Sequence, residues 1–184
     1  FSNNAQADQM LGYYLPRIQT PKESIVALDV ESGYPNTAAV LHALARVKAA
    51  GYTAVLYGYK NFLVSHLNLT TIAAQYPLWL AEYPDYNVTT KPNYGYFPSF
   101  ANVGIFQFTS TYKAGGLDGN VDLTGITYNG YGKTVKSNTG KVTVRPATNT
   151  PAINAGQAAH TAKPPAIQPR DQLKDTLGRT RGST

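Results

Sequence analysis

The chain of 184 residues has no cysteine, only three histidines and few charges, with Asp, Glu, Lys and Arg making up 14% of it. Without cysteine there is no disulfide, no thiolate metal site and no cysteine nucleophile, a composition that suits a cytoplasmic protein and a secreted bacterial one equally. His42, His66 and His160 lie far apart and match no metal-ligand spacing such as H-E-x-x-H, so metal catalysis is not expected. No stretch is long and apolar enough to span a bilayer, and membrane insertion is not expected either. The opening residues Phe1-Ser2-Asn3-Asn4 form neither an export signal nor an initiator methionine, so the sequence reads as cut at its front and is silent about export.

The charge that is present is unevenly placed. Residues 1–130 hold seven Lys and Arg against eight Asp and Glu, whereas residues 131–184 hold nine against two, so the first part is near neutral and the second carries the excess behind the net +6. Those basic residues are scattered among Pro, Thr, Asn and Gly rather than gathered on a folded face, which argues against nucleic acid as a partner. Residues 131–184 contain five prolines and no Phe or Trp and read as a basic, disordered linker or tail. Its charge would permit weak docking on anionic wall polymers, although a plain solvated linker explains it as well. A hydrophobic fraction of 42% supports one domain with a sizeable core over residues 1–130. Fourteen tyrosines supply flat apolar faces with polar edges, suited to sugar rings and equally to core and strand packing.

Periodicity predicts a helix from Ala5 to Tyr14, closed by Pro16, and a strand from Ile25 to Val30. A helix from Thr37 to Ala50 follows, with Asn36 as its N-cap, an apolar stripe of Val40, Leu41, Leu44 and Val47, and Gly51 as its stop. Then come a strand from Thr53 to Tyr59, short helices over Asn61 to Leu67 and Thr70 to Ala74, and strands over Pro77 to Tyr83, Val103 to Phe108 and Val121 to Ile126. Strands alternating with helices indicate an α/β protein with a parallel sheet covered by helices. Five strands are too few for a full eight-stranded barrel of about 250 residues, so either strands are missing or the sheet is open.

The feature with the most chemical content is Asp29-Val30-Glu31, directly after the apolar run Ile25-Val26-Ala27-Leu28. Residues two apart in a strand share a face and stand roughly 6.7 Å apart at about 3.3 Å of rise each. On a buried strand, desolvation and mutual repulsion would raise one pKa and leave an acid able to protonate a leaving oxygen, with Glu31 the better candidate. A solvated strand end before the turn Ser32-Gly33-Tyr34-Pro35 would also explain the triplet.

Four segments in order, Ile25 to Glu31 (IVALDVE), Ala54 to Tyr59 (AVLYGY), Pro77 to Tyr83 (PLWLAEY) and Gly104 to Asp122 with its GIFQFTS and GNVDL, resemble glycoside hydrolase family 25, the peptidoglycan-cutting lysozymes of bacteria and phages. The match runs over residues 5–128. It implies an irregular β/α, TIM-like barrel lacking its first strands, because the family's opening strands and the aspartate on the first of them have no counterpart here. The implied reaction is hydrolysis of the β-1,4 bond between N-acetylmuramic acid and N-acetylglucosamine in bacterial peptidoglycan, with no cofactor, by a protein secreted or released to the cell wall. Glu31 would be the general acid, and Asp29 would orient the substrate's N-acetyl group or stabilise charge at the anomeric carbon. Asp122 would supply a further carboxylate of the cleft, while Tyr57, Trp79 and Gln107 would line the sugar. Retention through assistance by the N-acetyl group is the favoured stereochemical course. Phe106, Phe108 and Thr124 depart from the family's commoner residues at their positions. Asp122 could instead cap a turn, and Trp79 could be core. The competing readings are a family 18-like chitinase, whose longer acidic motif is absent before Asp29, and a non-catalytic wall-glycan-binding protein.

Overall fold

A computed structural model describes residues 1–113 and 116–132. Helix α1 (Asn4–Tyr14) starts where the Asn3 side chain accepts from the Gln6 amide, and α2 (Thr37–Ala49) starts where Asn36 accepts from the amides of Ala38 and Ala39. In each case a short side-chain oxygen takes up first-turn donors that the helix itself leaves unpaired. Between them lies β1 (Ile25–Asp29), and after α2 come β2 (Thr53–Tyr59), α3 (Lys60–His66) and α4 (Leu69–Ala73), the last capped by Asn68. Strands β3 (Leu78–Ala81), β4 (Val103–Thr109) and β5 (Gly119–Asp122) complete one sheet of order β1-β2-β3-β4-β5.

The first four strands are parallel, as the alternating pattern predicts, but β5 runs antiparallel to β4. Among the described residues the sheet is open, with β1 and β5 at its edges. The strand expected over Val121 to Ile126 begins earlier, at Gly119, and leaves the sheet after Asp122. The cause is the Asp122 carboxylate, which gathers the amides of Thr124, Gly125, Ile126 and Thr127 and bends the chain into a single 3-10 turn over Ile126–Tyr128.

One face of the sheet packs on the helices. Val40, Ala43, Leu44 and Val47 of α2, spaced on one helical stripe, are wholly buried against Leu28, Leu56, Leu78 and Leu80, with Leu63 and Ile72 closing the layer. Each such leucine contributes about 1.5–3 kcal/mol by leaving water. A second apolar group surrounds Phe106, whose ring meets Phe97 and Phe108 edge-on at centroid distances of 5.3 and 6.3 Å.

After β5 the chain returns along the base of the sheet. Leu123 donates to the Gly104 carbonyl at 2.9 Å, and Asn129 Nδ2 donates to Thr53 Oγ1 at 3.0 Å. Gly130, at φ +80°, lies so close to the residues before β1 that a Cβ there would stand 2.5 Å from the Lys22 carbonyl oxygen. Residues 123–130 therefore form a strap that ties the β4–β5 side to the starts of β2 and β1. The expected tail lies, from residue 133 onward, outside the described residues.

Candidate active site

Leu28 and Val30 are buried at 4% and 3% exposure, while Asp29 and Glu31 are exposed, so the two carboxylates leave the sheet on the face opposite the helices. The shared face agrees with the spacing argument, but the expected burial does not. β1 is an edge strand whose other residues are only half-buried, and its C-terminal end opens to solvent.

Two contacts fix where Glu31 emerges. The Val30 amide donates to the Tyr57 carbonyl at 3.0 Å, extending the β1–β2 ladder one residue beyond Asp29. Next to it, Gly58 has no room for a side chain, since a Cβ would lie 2.5 Å from the Val30 carbonyl oxygen and 3.1 Å from Leu63. Glycine at 58 lets the Val30 carbonyl, one residue before Glu31, approach β2 this closely.

Register then places a row of side chains across the sheet: Asp29 beside Tyr57, Tyr57 beside Trp79, Trp79 beside Ile105, and Ile105 beside Asp122. Tyr57 and Trp79 meet edge-on, centroids 5.2 Å apart at 70°. The Trp79 indole Nε1 donates to Asn120 Oδ1 at 2.8 Å. Half-buried Tyr57 has its pKa raised, first by burial and then by the negative charges of Glu31, Asp118 and Asp29 around it, so it is held as a neutral hydrogen-bond donor. Tyr83 is raised in the same way by burial, partly offset by its bond with Ser110 and reinforced by Tyr86, Asp118 and Glu31. Its backbone carbonyl accepts from the Tyr59 hydroxyl at 3.4 Å.

Asp29, Tyr57 and Trp79 thus form a contiguous surface with Glu31 at its rim. Gln107 adjoins it in register with Ala81 and Asn120, but is only 2% exposed. Its Nε2 reaches the Thr109 carbonyl at a long 3.4 Å, and its Oε1 is buried without a hydrogen-bond partner. Asp122 stands in the row, yet its carboxylate turns away into the loop that follows. Partial burial works to raise its pKa, but hydrogen bonds from the Thr127 hydroxyl and amide and from the amides of Thr124 and Gly125 outweigh it and hold the carboxyl below the usual range. An acceptor so occupied is a fixed negative charge and a turn anchor, unsuited to giving a proton.

The sequence reading left out Tyr83, Asp118 and Asn120. Tyr83 follows Trp79 and Ala81 at period two, and Asn120 precedes Asp122 by two, so alternation could have placed both on the site face. Asp118 sits in the loop before β5 and carries no spacing signal. Among the described residues, no group of three or more His, Asp and Glu side chains is arranged to hold a metal ion.

The family of glycosyl hydrolases numbered 25 matches residues 1–117. A protein of Streptococcus phage B30 named D-alanyl-L-alanine endopeptidase is 36% identical over 128 residues, covering 66% of this chain and 29% of that protein. The lysozyme of Streptococcus phage Cp-7 is 33% identical over 115 residues, covering 59% of this chain and 33% of the relative. Among solved structures, the modular Cpl-1 endolysin crystallised with a peptidoglycan analogue is similar at a TM-score of 0.58 and 28% identity, covering 66% of this chain and 36% of that one. The chain spans about a third of the length of these relatives.

Proposed function

The chain belongs to glycosyl hydrolase family 25, and on that premise we propose that it is a peptidoglycan hydrolase of the lysozyme type, cutting the β-1,4 bond between N-acetylmuramic acid and N-acetylglucosamine. The observation that carries the reading is the Asp29–Glu31 pair leaving the sheet beside the Tyr57–Trp79 aromatic row. The aromatic faces supply apolar surface for a sugar ring, and the neutral Tyr57 hydroxyl supplies a donor for its polar edge. Glu31, at the exposed rim, protonates the leaving glycosidic oxygen. Asp29, two residues before it on the same face, orients the N-acetyl group or stabilises positive charge developing at the anomeric carbon. Asp122 contributes a fixed negative charge and holds the strap, and Gln107 supports the row from beneath.

We read the open sheet as an arc of an irregular β/α barrel, a reading supported by its likeness to the Cpl-1 endolysin. The substrate would be bacterial peptidoglycan, met at the cell wall. The endopeptidase name of the phage B30 relative describes a protein of which this chain covers 29%, and a thiol nucleophile for peptide cleavage is not available in a chain without cysteine.

The test is digestion of purified peptidoglycan with mass spectrometry of newly formed reducing ends. Muramic-acid reducing ends are expected from the wild type. Glu31→Gln should reduce their release by about 100- to 10,000-fold, the scale of general-acid catalysis, with glycan affinity little changed. Undiminished release by Glu31→Gln would exclude Glu31 as the acid, and glycan binding without any release by the wild type would favour a binding protein.

A further inference from the structure

The Trp79–Asn120 contact joins side chains from strands that are not neighbours. Trp79 is on β3 and Asn120 on β5, with β4 between them, so the indole lies across β4 to reach its acceptor at 2.8 Å. The β4 residues on that face, Ile105 beside Trp79 and Gln107 beside Asn120, are buried at 1% and 2% exposure. The orientation of the amide is chemically fixed, because an indole N–H only donates and must therefore face Oδ1. At its other side the indole meets Tyr57 edge-on. A half-exposed ring with rotatable χ1 and χ2 is thus tied at its polar atom and braced at its edge.

We propose that Asn120 is a positioning residue. By holding the Trp79 N–H it sets the tilt of the indole against Tyr57, and so the shape of the aromatic surface on which a sugar ring would lie. The glycan part of this statement rests on the lysozyme-type reading above. The positioning part does not.

Trp79 is the chain's single tryptophan, so one indole N–H resonance and one indole emission report on it without assignment ambiguity. In Asn120→Ala the indole N–H should exchange with solvent roughly three- to tenfold faster, the factor expected for losing one hydrogen bond's net contribution. The dissociation constant for a muramic-acid-containing tetrasaccharide, read by quenching of indole emission, should rise by a similar factor. Asn120→Asp keeps an acceptor oxygen and should bring exchange back to within about twofold of wild type. On a Trp79→Phe background, which lacks the donor, Asn120→Ala should change tetrasaccharide affinity, followed by calorimetry, by less than about 1.5-fold.

Unchanged indole exchange in Asn120→Ala would overturn the proposal, as would an equal loss of affinity on the Trp79→Phe background. Should the wild type bind no tetrasaccharide, the lysozyme-type reading fails, and the exchange rates of Asn120→Ala and Asn120→Asp decide the positioning role without it. Should Asn120→Ala fail to fold, Asn120→Leu, which keeps the side chain's size but offers no acceptor, carries the decision: indole exchange roughly three- to tenfold faster than wild type supports the positioning role, and unchanged exchange overturns it.

Discussion

Replacing Asp122 by alanine separates an anchor from a catalytic group. Its two oxygens accept from the amides of Thr124, Gly125, Ile126 and Thr127 at 3.1, 2.7, 3.2 and 3.0 Å, and from the Thr127 hydroxyl. Capping substitutions cost about 0.5–2 kcal/mol, and hydrogen bonds to a charged acceptor about 1.5–3 kcal/mol without adding in full. The alanine variant frees a turn on which the strap's bonds from Asn129 to Thr53 and its seat under Ser24 depend. Asp122→Ala should therefore lose about 2–3 kcal/mol at neutral pH, measured by urea unfolding followed through Trp79 emission. The pH dependence has a defined sign. Because the folded-state pKa lies below the ordinary carboxyl value, the stabilisation is present above that value and is lost as pH falls through the lowered one. The gap between wild type and Asp122→Ala should narrow by pH 3. A loss under about 0.5 kcal/mol, or a gap that stays constant down to pH 2, would refute the anchoring argument. A fully folded Asp122→Asn with turnover reduced by more than about 100-fold would move Asp122 back among the catalytic groups.

Gly58→Ala should push on the Val30 carbonyl oxygen, which its Cβ would meet at 2.5 Å, and so displace the segment that carries Glu31. A shift near 1 Å there predicts roughly 10- to 100-fold lower peptidoglycan turnover in a protein that still folds, and activity within about threefold of wild type would count against the placement of Glu31. Burial raises the Glu82 pKa, partly offset by Lys60, and Glu82 Oε2 is buried without a hydrogen-bond partner. The carboxylate form is thus disfavoured on folding as pH rises through the ordinary carboxyl value. Glu82→Gln should match or exceed wild-type stability at pH 7, by under about 1 kcal/mol after screening, with the gain absent at pH 4; denaturant midpoints at the two pH values would show the reverse if Glu82 were a stabilising ion-pair partner.

Where the signals are local, the sequence already carries the structure. Strand β2 runs from Thr53 to Tyr59 as its apolar run predicts, and α2 begins at Thr37 because Asn36 offers an oxygen to its first amides. The alternation of strand and helix likewise implies the parallel pairing of β1 to β4. β5 is different, because its residues are chosen by a partner elsewhere. Gly119 and Asn120 pair with Thr109 and Gln107, a register that nothing in their own neighbourhood encodes. Exposure of Asp29 and Glu31 is equally non-local, since it depends on β1 lying at an edge. A close approach such as that of Gly58 to the Val30 carbonyl becomes visible only when two strands are side by side.

Asp122 is the instructive case, because two local signals compete over the same residues. Val121-Asp122-Leu123 alternates like a strand, while Asp122 followed by Thr124-Gly125 has the chemistry of a cap: a short carboxylate before a residue that turns at φ +77°. The cap prevails after one shared residue, and this decides what Asp122 can do. Motif position alone puts it in the row with Asp29, Tyr57 and Trp79 and invites a catalytic role. Hydrogen bonding divides the row again, since a carboxylate that accepts from four amides and a hydroxyl stays ionised across the pH range in which a wall hydrolase would work. On the proposed lysozyme-type reading, proton donation is then assigned to the rim of the sheet, where Glu31 stands, and the negative charge fixed at Asp122 is left to act through space or through the strap it holds.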